Sequence, residues 1–166
     1  MHTHRSFFLK SLVQVEMIYQ KIEEDDLKEE EFRNNLTHDL QSSGINVVNM
    51  RGGTFDLIIE GKRPFICEVK KITLGGHRGF KESEKGFSFT KEQTSEILEM
   101  KFPPFVVAFH QKECYFLEPD WVKREVTDLK EYETAIMYFS VRPFPPAKTY
   151  AEVLEEVIKF VTRTTS

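Results

Sequence analysis

Asp56, Glu68 and Lys70 are the side chains whose types and spacing could do chemistry. They lie in FDLIIEGKRPFICEVK, residues 55–70, where the apolar runs FDLII and FICEV flank the turn signal Glu60-Gly61-Lys62-Arg63-Pro64. That pattern predicts a β-hairpin in a buried sheet. A sheet core does not select three charges for stability, because an unpaired buried charge costs several kcal/mol or shifts its pKa until it is neutral. Strand side chains alternate faces, so Glu68 and Lys70 share one face while Cys67 and Val69 take the other. A hairpin folded at Gly61 brings Asp56 level with Glu68. Two carboxylates in a half-buried sheet call for a cation, and a hard divalent metal beside an ammonium group is the chemistry of metal-dependent phosphodiester hydrolysis.

The spacing and its context resemble the PD-(D/E)xK nuclease superfamily, whose core motif is an Asp, a short hairpin, then Glu-x-Lys. Here the motif reads Asp56 and Glu68-Val69-Lys70, with Phe55 where the name-giving Pro would stand. Within the superfamily the likeness is to archaeal Holliday-junction resolvases and related small nuclease domains. Their order of helix, Gly, strand, Asp-hairpin-Glu-x-Lys, loop, helix and strand is matched over residues 27–118. The resemblance implies an α/β fold: a restriction-endonuclease-like core with a mixed central sheet flanked by helices. It also implies Mg²⁺, with Mn²⁺ able to substitute, held by Asp56, Glu68 and the Val69 carbonyl. Lys70 would orient the attacking water or neutralise charge on the phosphorane.

The family commonly adds a Glu from the first core helix. Glu29 shares a side with Phe32 and Leu36 by i+3 and i+7 spacing, with Glu30 and Glu31 as alternatives. Measured back from Gly44, the resolvases' acid falls near Arg33, about one turn later. Several relatives also carry a Gln at the opening of the next helix that leans towards the metal-bound carboxylates. Gln93 holds that place, and it equally suits the second half of a capping box with Thr90.

The elements that must position these residues follow from periodicity. Phe8, Leu12, Val15, Tyr19 and Ile22 predict an amphipathic helix over residues 5–24. A second helix, opened by Asp26 with Glu29 as its capping partner, carries Leu27, Phe32, Leu36 and Leu40 and stops at Gly44. Residues 45–50 read as a strand, and Arg51-Gly52-Gly53 as the turn into the hairpin. Residues 73–88, with four glycines, read as a long loop of the functional or mobile kind. Thr90-x-x-Gln93 opens a helix to about Met100, stopped by Pro103-Pro104. Residues 105–109 and 114–117 read as a hairpin, 120–129 as a helix that packs Trp121 on the sheet, and 135–141 as a strand. A last helix opens at Thr149-x-x-Glu152. The chain thus reads as one α/β domain: an N-terminal helical arm (1–25), the nuclease-like core (26–118) and a C-terminal strand-helix extension (119–166).

Composition bounds the function. At 166 residues, 40% hydrophobic and with 15 Phe, the chain can bury one aromatic core. A net charge of −4 argues against a basic exterior that coats nucleic acid. Residues 51–91 nevertheless hold nine Lys and Arg against five Asp and Glu, the asymmetry of a polarised binding face. Arg51, Lys71, His77, Arg78, Lys81 and Lys85 are its candidate phosphate contacts. No run has the apolar length of a membrane span, residues 1–5 do not begin a signal peptide, and Cys67 and Cys114 read as core thiols of a reducing cytoplasm. No GxSxG, HExxH or P-loop is present, and His38, His77 and His110 lack ligand spacing.

The expected activity is a Mg²⁺-dependent DNA endonuclease that uses a metal-activated water and works as a homodimer, since two strands need two sites. The alternative is a nuclease-fold module that binds or assembles without cutting. A coincidental motif would leave Asp56 and Glu68 far apart.

Overall fold

A computed structural model describes residues 27–74, 85–129, 136–138 and 144–163. The predicted helix over 5–24 and the capping residue Asp26 lie outside them. The first described helix, α1 (Glu29–Ser42), buries Phe32, Leu36, Asp39 and Leu40 on one face. Its N-cap is Lys28, with no side-chain cap, so the expected capping box of Asp26 and Glu29 is corrected: Glu29 is the first helical residue, not the third. Its end is as read. Gly44 adopts φ +83°, and the Ile45 and Gly44 amides return to the Leu40 and Gln41 carbonyls, both at 3.0 Å, which closes the helix with a left-handed glycine.

Strands β1 (Asn46–Asn49), β2 (Leu57–Glu60) and β3 (Pro64–Lys71) form an antiparallel meander, in which Leu57 pairs with Cys67 and Ile58 with Ile66. The turn needs Gly61 for space. A Cβ there would fall 2.0 Å from the Val161 carbonyl oxygen, which also accepts from the Lys62 amide at 3.3 Å.

Residues 73–88 are not wholly loop. Short β4 (Thr73–Leu74) pairs with β5 (Lys85–Ser88), and β5 pairs with β8 (Ile136–Tyr138) in a separate three-stranded sheet. The chain then forms α2 (Lys91–Glu99) and crosses to β6 (Phe105–His110), parallel to β3 with Glu68 opposite Val106 and Lys70 opposite Ala108. A hairpin leads to β7 (Glu113–Leu117), followed by α3 (Pro119–Asp128) and α4 (Tyr150–Thr162). The main sheet runs β1-β2-β3-β6-β7, mixed because of the one parallel pair. The fold is α/β.

Two apolar layers sandwich this sheet. On one face Phe32 of α1 stacks on Phe109, with ring centroids 4.2 Å apart, and meets Tyr150 of α4 edge-on. On the other, Val106, Ala108 and Leu117 pack with Ile97 of α2, Val122 and Val126 of α3, and Phe87 and Phe89. Every residue of β6 is buried, as for a strand covered on both sides. Trp121 is half-buried, packed against this second layer and against Phe144. Cys67 and Cys114 are free and buried. Burial pushes both thiols up, Cys114 to about 12.

Candidate metal and phosphodiester site

The site opens where the β2–β3 ladder ends. One residue beyond the Leu57–Cys67 pair, Asp56 turns its side chain into the ladder's next position, and its Oδ2 accepts from the Val69 amide at 2.9 Å. Glu68 is 3% exposed and hydrogen-bonds Asp56. The two carboxyls therefore meet, which a coincidental motif would not require. Lys70 sits one pleat further on the same face. Its Nζ lies 3.7 Å from Glu68 Oε2, donates to Gln93 Oε1 at 3.2 Å, and stands over the Phe89 ring at 5.3 Å.

Gln93 ties the site to α2 and uses its whole hydrogen-bonding capacity. Its carbonyl oxygen accepts from the Thr90 amide and from Lys70, and its amide donates to the Thr54 carbonyl and to Glu68 Oε2. The Thr90 hydroxyl accepts from the Gln93 backbone N–H, so the capping box is complete and one side chain serves both roles. Thr54, which sequence reading missed, donates to Glu96 and so pins the 50–56 turn to α2. At the other end of α2, Lys123 of α3 donates to the Ile97 carbonyl at 2.7 Å and to the Leu98 carbonyl, holding the helix against the last-turn carbonyls a cation favours.

The two carboxyls are shifted in opposite directions. Burial above all, then the hydrogen bond to Asp56 and the charges of Asp56 and Glu29, push Glu68 up to about 9 against the pull of Lys70. Burial pushes Asp56 up as well, but hydrogen bonds from Glu68, the Val69 amide and Arg33 outweigh it and hold Asp56 below the usual carboxylate range. The opposite shifts are those of two adjacent carboxyls that cannot both ionise freely, so the pair holds a proton more tightly than either group would alone.

Other expected residues fall at the margin. Glu29 Oε2 accepts from the Lys71 amide at 3.0 Å, which anchors the start of α1 to the end of β3 beside the cluster. Glu30 is exposed and Glu31 half-buried. Arg51 is exposed on the turn, and Lys71 is half-buried at the end of β3. His77, Arg78 and Lys81 lie outside the described residues. Lys85 opens β5, and its side chain is not described. The residue the sequence did not offer is Arg33, whose Nη1 donates to Asp56 Oδ1 at 3.1 Å from α1. The count back from Gly44 had marked its place but anticipated an acid there.

Among the described residues no three His, Cys, Asp or Glu side chains gather as a metal site. Mg²⁺ does not need three: it is commonly held by one or two carboxylates, with waters and substrate phosphate completing its shell. Asp56 and Glu68 supply two. A strand residue sends its N–H and C=O to the same edge, so the Val69 carbonyl leaves β3 on the side where its amide meets Asp56. The donor set is hard, oxygen-based and fits that cation.

No protein-family model, curated protein or solved structure matches the chain.

Proposed function

We propose that the chain is a Mg²⁺-dependent DNA endonuclease of the PD-(D/E)xK type, built on a restriction-endonuclease-like core. The observation that carries this reading is the meeting of Asp56 and Glu68 from adjacent strands, with Lys70 and Gln93 bonded around them. Asp56, Glu68 and the Val69 carbonyl would hold the cation, which when bound lowers the pKa of water and stabilises charge on the phosphoryl group. Lys70 faces the same space on a rigid strand, its ammonium held by Gln93, and offers a positive charge where charge develops in the transition state. Gln93 fixes the rotamers of Glu68 and Lys70 together. Arg51, Lys71 and the basic residues of 75–85 would track the DNA backbone, and a homodimer would present two such sites to two strands.

The test is cleavage of supercoiled, linear and branched DNA with Mg²⁺ or Mn²⁺. Wild type should cut at least one form. Asp56→Ala and Glu68→Ala should abolish cutting while DNA binding survives or tightens, since a negative charge facing phosphate is gone. Cleavage at the wild-type rate by Asp56→Ala would sink the scheme.

A second reading has its own observation. Arg33 and Lys70 stand at the two carboxyls and supply positive charge from the protein itself, as expected of a nuclease-fold module that binds or assembles without cutting. Absence of calorimetric Mn²⁺ binding by the wild-type chain, with and without DNA, would favour it.

A further inference from the structure

Both oxygens of Asp56 are engaged, but by partners of different kinds. Oδ2 is held by the Val69 amide, a fixed part of β3, whereas Oδ1 is held by Arg33, a long side chain that can swing away. The Arg33 side chain is 25% exposed. Its Nε is buried and has no partner among the described residues. A guanidinium carries five donors in a planar fork that matches phosphate or carboxylate with two parallel bonds. A pair kept for stability alone would engage more of that fork. A donor left unmet in a buried position is costly, and here it lies beside a carboxylate that a cation needs.

We propose that Arg33 couples substrate to cation at this site. In the free protein it occupies Asp56 Oδ1 and competes with a divalent ion for that oxygen. A DNA backbone phosphate entering the site draws the guanidinium into a two-bond contact and releases Oδ1 to the ion. The substrate thereby helps complete the site that acts on it, and metal and phosphate bind cooperatively, each raising the affinity for the other by the same factor. Arg33 is a positioning residue acting through Asp56. The inference rests on the phosphodiesterase reading but has a separate readout.

The experiment is calorimetric Mn²⁺ titration of the full chain, with and without thymidine 5′-monophosphate, which offers a phosphate but no internucleotide bond to cut. Arg33→Gln should bind Mn²⁺ about tenfold to a hundredfold more tightly than wild type when nucleotide is absent, the range expected for loss of a charge-assisted hydrogen bond to the competing ligand. The nucleotide should tighten Mn²⁺ binding in wild type, and that gain should shrink in Arg33→Gln by a similar factor. Arg33→Lys, which keeps the charge but not the fork, should fall between. Equal Mn²⁺ affinity in wild type and Arg33→Gln, with an equal nucleotide gain, overturns the coupling and leaves the nuclease reading standing. Absence of Mn²⁺ binding in both, with and without nucleotide, overturns both readings. Should Arg33→Gln not fold, wild type decides alone: a Mn²⁺ affinity insensitive to nucleotide overturns the proposal.

Discussion

Two acids, Asp39 buried and Asp56 half-buried, are treated in opposite ways. Asp39 of α1 is 4% exposed and takes its hydrogen bond from the Tyr150 hydroxyl of α4, while its Oδ1 has no partner among the described residues. Burial raises its pKa against the pull of Tyr150 and of His38. Asp56 meets two N–H donors and the Glu68 carboxyl, and they hold its pKa low. The first acid joins two helices and has a single hydroxyl as its described partner. The second lies among groups that can exchange partners. Burial alone therefore does not set the shift of a carboxyl; the number of its hydrogen-bond donors decides the sign.

The sharpest contrast comes from cutting each region at its most committed residue. Phe32→Ala removes a ring stacked between Phe109 and Tyr150 and should cost about 3–5 kcal/mol in denaturant unfolding. Any loss of cleavage should then follow the fraction unfolded. Lys70→Ala should do the reverse, slowing cleavage by about 10²–10³-fold while Mn²⁺ binding and the melting temperature hold. An equal loss of Mn²⁺ affinity would show that Lys70 builds the site rather than acting in it.

Smaller effects test the helix clamp. Tyr150→Phe deletes the described donor to Asp39 and should cost about 1–3 kcal/mol, read by urea unfolding. Asp39→Asn keeps an acceptor for Tyr150 but removes the charge. Because the folded pKa of Asp39 lies above its ordinary 3.8, the folded state binds that proton more tightly. Wild-type stability therefore falls as pH rises from the ordinary value through the raised one. The Asn variant should lack this decline, and its melting temperature at neutral pH should equal or exceed that of wild type. A lower one would make the Asp39 charge favourable and erase the contrast between the two acids.

Much of the site's framework could be read because its signals are local. Asp56, Glu68 and Lys70 stand out as charges inside apolar runs, and Thr90-x-x-Gln93 is a capping box whatever else Gln93 does. Gly44 was legible because a left-handed helix end has few alternatives to glycine. Arg33 was not, because its meaning lies in Asp56, 23 residues away, and nothing near it in sequence signals that partner. The opening of α1 was misread for a different reason: Asp26-x-x-Glu29 is a capping box by local pattern, but Glu29 instead accepts from the Lys71 amide, 42 residues on, and the helix begins at Glu29. The pairing of β4 with β5 was missed because two-residue and four-residue strands carry too little alternation to be told from loop. That β5 also pairs with β8, some fifty positions later, is invisible to any local pattern.

Phe160 of α4 rests among Phe65, Phe105 and Phe116, with ring centroids 5.2, 5.6 and 5.4 Å away. These three rings come from three different strands, all synthesised before α4. The long-range hydrogen bonds that join the site span 13 to 42 residues, whereas the bond from α1 to α4 spans 111. On the ribosome, then, the strands and α2 can assemble the cluster of Asp56, Glu68, Lys70 and Gln93 while the three rings still face water. A nascent chain at that stage presents a sticky aromatic surface of the kind that recruits chaperones or aggregates, and the arrival of α4 ends that exposure.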